Sequence, residues 1–134
     1  MKIKPMTNYK KIEASFSHLN NKTIKSITGL EIDSEKVRIE TECGFVVVLQ
    51  HVQDCCEDVL LNDFDGDASD VLGGYVIQAE EVSNAQGSAV NAESYTWTFY
   101  KIETNKGGLW MRWLGESNGC YSEEVCVTFY QLEV

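Results

Sequence analysis

Tyr95-Thr-Trp-Thr-Phe-Tyr-Lys-Ile102, the turn Asn105-Lys-Gly-Gly108 and the return Leu109-Trp-Met-Arg-Trp-Leu114 form the stretch that decides the fold. Aromatic and β-branched residues dominate both arms, and such side chains suit a pleated, half-buried surface. Asn and Gly between them supply turn chemistry. Trp110 and Arg112 fall on one strand face and Trp113 on the other, because successive strand residues point to opposite sides. Outward from this hairpin, short apolar runs recur between turn signals, and strands are predicted near 23–31, 35–41, 44–52, 57–63, 75–81, 95–104, 109–115 and 123–132. The expected fold is mostly β: an antiparallel β-sandwich or open barrel of about eight strands with one or two short helices.

Within that frame Glu35-Lys-Val-Arg-Ile-Glu-Thr41 alternates, with Val37 and Ile39 on one face and Lys36, Arg38 and Glu40 on a wet one. Phe45-Val-Val-Val-Leu49 is apolar on both faces and reads as a central, covered strand. Gly44 between them fits a tight hairpin. Phe45, Val47, Leu49, Trp97, Phe99, Val125 and Val127 are the expected core. Tyr9, Ile12 and Phe16 recur at helical spacing and predict a helix over Asn8 to Phe16; one helical turn is expected at Ser69 to Leu72. Ser83 to Ser94 is small, polar and aperiodic, and reads as a mobile loop. Residues 1–134 are expected to form one domain, of which 1–22 is a basic N-terminal segment.

The formal charge of −10 is uneven. Six lysines against Glu13 give about +5 over residues 1–30, leaving about −15 on the rest, so the body repels a phosphate backbone and direct nucleic-acid binding is not expected. A basic segment beside an acidic surface is compatible with a homo-oligomer. No apolar run approaches the roughly 18 to 20 residues of a membrane span, and no signal segment follows the first lysines, which predicts no membrane association and a cytoplasmic location. Five cysteines, two of them adjacent, predict free reduced thiols rather than a secreted disulfide framework.

His51-Val-Gln-Asp-Cys-Cys-Glu57 is the most unusual string. His51 and Cys55 or Cys56, with Cys120 and Cys126, have the ligand types of a zinc site, but no Cys-x-x-Cys or His-x-x-x-His spacing, and no metal or other cofactor is expected. The same residues are the inventory of a thiol nucleophile and its base, although an extended chain separates His51 from Cys55 by about 13 Å. Asp63, Asp65 and Asp67 alternate as calcium ligands do, yet the loop lacks the glycine and the closing Glu of an EF-hand, and a turn with a helix cap accounts for it. The ligand-binding residues expected are His51, Glu57, Trp110, Arg112, Ser117, Asn118, Tyr121 and Ser122, which combine an imidazole, an arginine, small polar groups and stackable rings.

His51-Val-Gln-Asp-Cys-Cys-Glu-Asp-Val59, Trp97-Thr-Phe-Tyr-Lys-Ile102 and Arg112-Trp-Leu-Gly-Glu-Ser-Asn-Gly-Cys-Tyr-Ser-Glu-Glu-Val125 together resemble a family of small proteins of unknown function encoded by bacteriophages and bacteria. The resemblance covers about residues 43–130. Members more often carry Tyr-Tyr-Ser where this chain has Cys120-Tyr-Ser, which argues against a required role for Cys120. The resemblance implies a phage or mobile-element setting and supplies no catalytic residue. The function expected is therefore non-enzymatic: an accessory protein that binds a host protein or sequesters a small nucleotide-like signal to inhibit a host defence system. The alternatives are a small cysteine-dependent enzyme and an acidic nucleic-acid mimic.

Overall fold

The structure, a computed structural model, describes residues 8–86 and 94–132. Among the described residues, nine antiparallel strands form two sheets packed face to face. The first contains β1 (Tyr9–Ile12), β2 (Ile24–Thr28), β3 (Lys36–Thr41), β4 (Phe45–Gln50) and β9 (Cys126–Leu132), in the order β1-β9-β4-β3-β2. The second contains β5 (Asp58–Asp65), β6 (Val76–Gln86), β7 (Ser94–Thr104) and β8 (Gly108–Ser117), in the order β5-β8-β7-β6. A single 3-10 turn (Phe16–Leu19) and a one-turn helix, α1 (Ala68–Val71), are the helical elements among the described residues. No helix among them is long and apolar enough to cross a membrane.

β4 occupies the centre of its sheet, and Phe45, Val46, Val47, Val48 and Leu49 are all buried, as their two-faced apolar run requires. Gly44 turns the β3–β4 hairpin at φ +81°, where a Cβ would meet the Leu132 Cβ at 2.9 Å, so both the backbone and the space call for glycine. The inner faces meet in one core: Val37, Ile39, Phe45, Val47, Leu49 and Phe129 from the first sheet, and Leu61, Tyr100, Ile102, Leu109, Met111 and Trp113 from the second. Val125 is buried and Val127 packs against the same core.

Four expectations need correction. The segment from Asn8 to Phe16 contains β1 rather than a helix: Tyr9 to Ile12 pair with Leu132 to Phe129 along an open strand edge, and Phe16 enters the core from the 3-10 turn. Three residues of helical spacing could not outweigh the strand pairing that the β9 edge offers. Secondly, Ser83 to Gln86 continue β6 and Ser94 opens β7, so both ends of the expected loop are strand; residues 87–93 lie outside the described residues. Thirdly, Trp97 and Phe99 are half-buried on the outer face, while Thr98, Tyr100 and Ile102 point inward. β7 carries large apolar groups at both parities, and the pairing of Tyr100 with Met111 and of Thr98 with Trp113 decides which parity is buried. Lastly, Arg38 is buried on the supposedly wet face of β3, lying 3.4 Å from Glu40.

Both edges of the second sheet are laced to the first half of the chain. On the β6 side, Val76 N–H donates to the Lys22 carbonyl (2.8 Å), Asn21 N–H to the Val76 carbonyl (2.9 Å), and Ala79 N–H to the Asn20 side-chain oxygen (2.7 Å). On the β5 side, Leu61 N–H donates to the Ser34 carbonyl (2.9 Å) and Asp33 N–H to the Leu61 carbonyl (2.8 Å). These bonds occupy backbone groups that an edge strand would otherwise leave open.

Candidate functional site

The chain's two unusual motifs meet at one end of the sandwich. His51 follows the last residue of β4 and Glu57 precedes β5, and the intervening bend brings the Glu57 Oε2 to 2.7 Å from the His51 Nε2. The other ring nitrogen donates to the Glu124 carbonyl at 2.6 Å. A carbonyl only accepts, so the ring nitrogen that faces Glu124 carries the proton in that bond. Glu57 also accepts from the amides of Asp54 (3.0 Å) and Cys55 (2.8 Å). The His51 bond, followed by these amides, outweighs desolvation and lowers the Glu57 carboxyl from 4.5 to about 2. Both side chains are buried and all their strong acceptors and donors are spent inside the fold. The pair works as a clamp across the β4–β5 crossover.

The second motif supplies the strap that the clamp holds. Residues Tyr121 to Val125 cross the end of β7 and β8, where Glu123 is buried and accepts from Thr96 Oγ1 (2.7 Å) and Ser117 Oγ (2.5 Å). Gly115 lies beneath it: a Cβ there would stand 2.5 Å from the Glu123 carbonyl oxygen. Gly115→Ala is therefore expected to displace the strap and cost about 1–3 kcal/mol, as overpacking does, read from the shift of a urea denaturation midpoint. Gly107→Ala, where the nearest contact is 3.0 Å, serves as the milder comparison.

Adjacent Cys55 and Cys56, expected as free thiols, are joined as a disulfide at the exposed tip of the bend. Cys43 and Cys120 are exposed free thiols and Cys126 is half-buried. Asp63 and Asp65 belong to β5, and Asp70 accepts the Asp67 amide at 2.8 Å, so the acidic string ends as a strand and a helix cap.

The eight expected ligand-binding residues fall into three places. His51 and Glu57 form the clamp, with Ser117 buried against Glu123 and Asn118 accepting the Cys120 amide in the turn beside them. Tyr121 and Ser122 line a cleft of about 370 Å³ between the strap and the ends of β6 and β7. Trp110 and Arg112 lie elsewhere, on the outer face of the second sheet.

That outer face is where sequence reasoning missed most. In register across it run Leu60, Leu114 and Trp97, then Arg112, Phe99 and Val82, then Asp65, Trp110, Lys101 and Glu80. The Arg112 guanidinium stacks 4.8 Å from the Trp97 ring and 5.9 Å from Trp110, and Phe99 lies 5.7 Å from Trp110. Asn62 Oδ1 accepts from Arg112 Nε (3.1 Å) and an Nη (2.8 Å), with Asp63 at 3.8 Å. These bonds hold the guanidinium over the Trp97 ring. Asp58, Asp65, Glu80 and Glu116 bound the face and are exposed. The signal was present in the alternation of β8, which placed Trp110 with Arg112; it was lost in β7, where Trp97 and Phe99 were assigned inward.

No curated protein and no solved structure matches the chain. A family model described as a domain of unknown function matches residues 17–127, which takes in the clamp, the strap and the aromatic face alike, and the chain belongs to that family, DUF7448.

Proposed function

We propose that the protein works as a binding module, and that its outer aromatic face docks a protein partner. The supporting observation is the face itself: Trp97, Phe99, Trp110, Leu60, Leu114 and Val82 are contiguous on the side of an antiparallel sheet that solvent normally claims. Tryptophan and arginine at the centre of a patch are the residue types on which binding energy concentrates. The acidic boundary of Asp58, Asp65, Glu80 and Glu116 suits a partner with an apolar centre ringed by lysine and arginine. A nucleotide-like ligand fits less well, since the one arginine there is already engaged by Asn62 and Asp63. The clamp geometry likewise favours binding over cysteine catalysis, because both nitrogens of His51 are engaged within the fold. In this reading the chain is a phage or mobile-element accessory protein that occupies a host protein in the host cytoplasm and inhibits a defence system.

A photo-crosslinking residue at Phe99, expressed in the native host, is expected to give one discrete adduct with a basic protein. Its yield should fall with added salt, and the purified pair should lose at least about tenfold in affinity in Trp97→Ala or Trp110→Ala. Equal adducts from a probe at exposed Val52, an adduct with a second copy of the chain, or saturable quenching of the tryptophans by nucleotides would each overturn it.

A further inference from the structure

The tip of the β4–β5 bend carries two side chains that neither the clamp nor the docking face uses. Cys55 and Cys56 are neighbours in sequence and are joined to each other, so their disulfide closes a loop within one dipeptide and ties no two elements of the sandwich together. A cross-link stabilises a fold chiefly by restricting the unfolded chain, and that restriction is smallest when the closed loop is shortest. Stability is therefore a poor account of this bond. Both cysteines are exposed, whereas His51 and Glu57 on either side of them are buried. Cys56 also lines an open hollow of about 290 Å³ with Asp58, Glu116, Ser117 and Asn118, which gives an attacking thiolate a way in.

The backbone of the same dipeptide is wired into the clamp. Glu57 Oε1 accepts the Cys55 amide at 2.8 Å, and Glu57 Oε2, the oxygen that faces His51, accepts the Asp54 amide at 3.0 Å. The Gln53 side chain donates to the Glu57 carbonyl at 2.6 Å and to the Cys55 carbonyl at 3.3 Å. His51 in turn reaches the strap through the Glu124 carbonyl. Ring closure between the two side chains removes rotational freedom from Cys55 and Cys56 and so holds the Cys55 amide over the Glu57 carboxylate. Opening the ring returns that freedom to the segment on which the carboxylate depends. The other three cysteines are free thiols, Cys43 and Cys120 exposed and Cys126 half-buried at the start of β9.

We propose that Cys55 and Cys56 form a reversible thiol–disulfide exchange site, with a dithiol as its reacting partner, whose state sets the tightness of the His51–Glu57 clamp and of the strap behind it. A thiolate of the dithiol attacks the Cys56 sulfur and forms a mixed disulfide; the Cys55–Cys56 bond breaks, and the Cys55 sulfur leaves as a thiolate that takes up a proton. The second thiolate of the dithiol then displaces Cys56, which is protonated in its turn. Two electrons and two protons pass to the protein, and the dithiol ends as a disulfide. Exchange with an oxidised dithiol runs the same steps backwards and closes the pair again. The site stands independently of the aromatic docking face.

The test joins differential alkylation to hydrogen exchange on the full chain. Protein purified in air is alkylated with iodoacetamide in urea, reduced with dithiothreitol and labelled with N-ethylmaleimide; the second label is expected on Cys55 and Cys56 and not on Cys43, Cys120 or Cys126. Dithiothreitol added without denaturant should open the pair in the folded chain. That reduction is expected to speed exchange of the Asp54 and Cys55 amides at least about tenfold and of the strap amides from Tyr121 to Val125 severalfold, while the β7–β8 hairpin is unchanged. The double variant Cys55→Ser, Cys56→Ser should exchange like reduced wild type whether or not dithiothreitol is present. Cys43→Ser combined with Cys120→Ser should respond to dithiothreitol as wild type does. Iodoacetamide on Cys55 and Cys56 before reduction, equal exchange in the oxidised and reduced states, or a dithiothreitol response that survives in the Cys55→Ser, Cys56→Ser variant would each contradict the proposal.

Discussion

Trp113→Ala should lower the unfolding free energy by about 3–5 kcal/mol, the range for deleting a fully buried aromatic side chain. Trp113 is 0% exposed on the inner face of β8, opposite Leu61 on one side and Thr98 on the other. Its indole N–H has no hydrogen-bond partner, so truncation removes packing without orphaning another polar group, which favours the lower part of that range. Trp110, three residues earlier and on the opposite face, is only half-buried, and Trp110→Ala should cost about 1 kcal/mol or less. Urea denaturation of the two variants reads the contrast directly. Equal losses would mean that the inner and outer faces of the second sheet have been assigned wrongly.

Acid should unfold the protein in part through Glu57. Its carboxyl is held at about 2 in the fold against 4.5 ordinarily, chiefly by His51. A group whose folded value is depressed favours the folded state while it is ionised, so its contribution is complete above about pH 5 and is lost as pH falls towards 2. Glu81 has the opposite sign: burial raises it, and protonation there favours the fold as pH falls, though its exposure at the mouth of the cleft limits the effect. Urea midpoints measured from pH 7 down to pH 2 should therefore fall steeply in the wild type. Glu57→Gln should start lower at pH 7 and show a flatter acid limb. Parallel curves for the two proteins would exclude the clamp as the source of the acid sensitivity.

The sheet content was legible because turn residues and two-residue alternation are local properties. The β7–β8 hairpin, the covered run of β4, the glycine at position 44 and the cap after Asp67 were all readable from neighbouring residues. What could not be read locally was pairing. β1 exists because β9 offers it an edge, and the parity of β7 is set by the face of β8 that the core claims. The site shows the same division. His51 with Glu57, and the Gly115 to Glu124 motif, stood out as unusual strings, yet their meeting depends on a bond over 73 residues from His51 to the Glu124 carbonyl.

The strand order also fixes a sequence of assembly. The second sheet is drawn from one contiguous stretch, β5 to β8, and most of its pairings join neighbours along the chain. In the first sheet, β9 sits between β1 and β4, so the latest strand must be inserted between two of the earliest. Until it arrives, the hairpin of β3 and β4 shows an unpaired edge and β1 has no partner, and closing a loop of more than seventy residues precedes any reward from those contacts. The four-stranded half can therefore act as a template that waits, with folding paced by the docking of β9. A chain interrupted before Cys126 would retain the hydrophobic face of β4 beside an open edge, which is the state most prone to pair with other molecules.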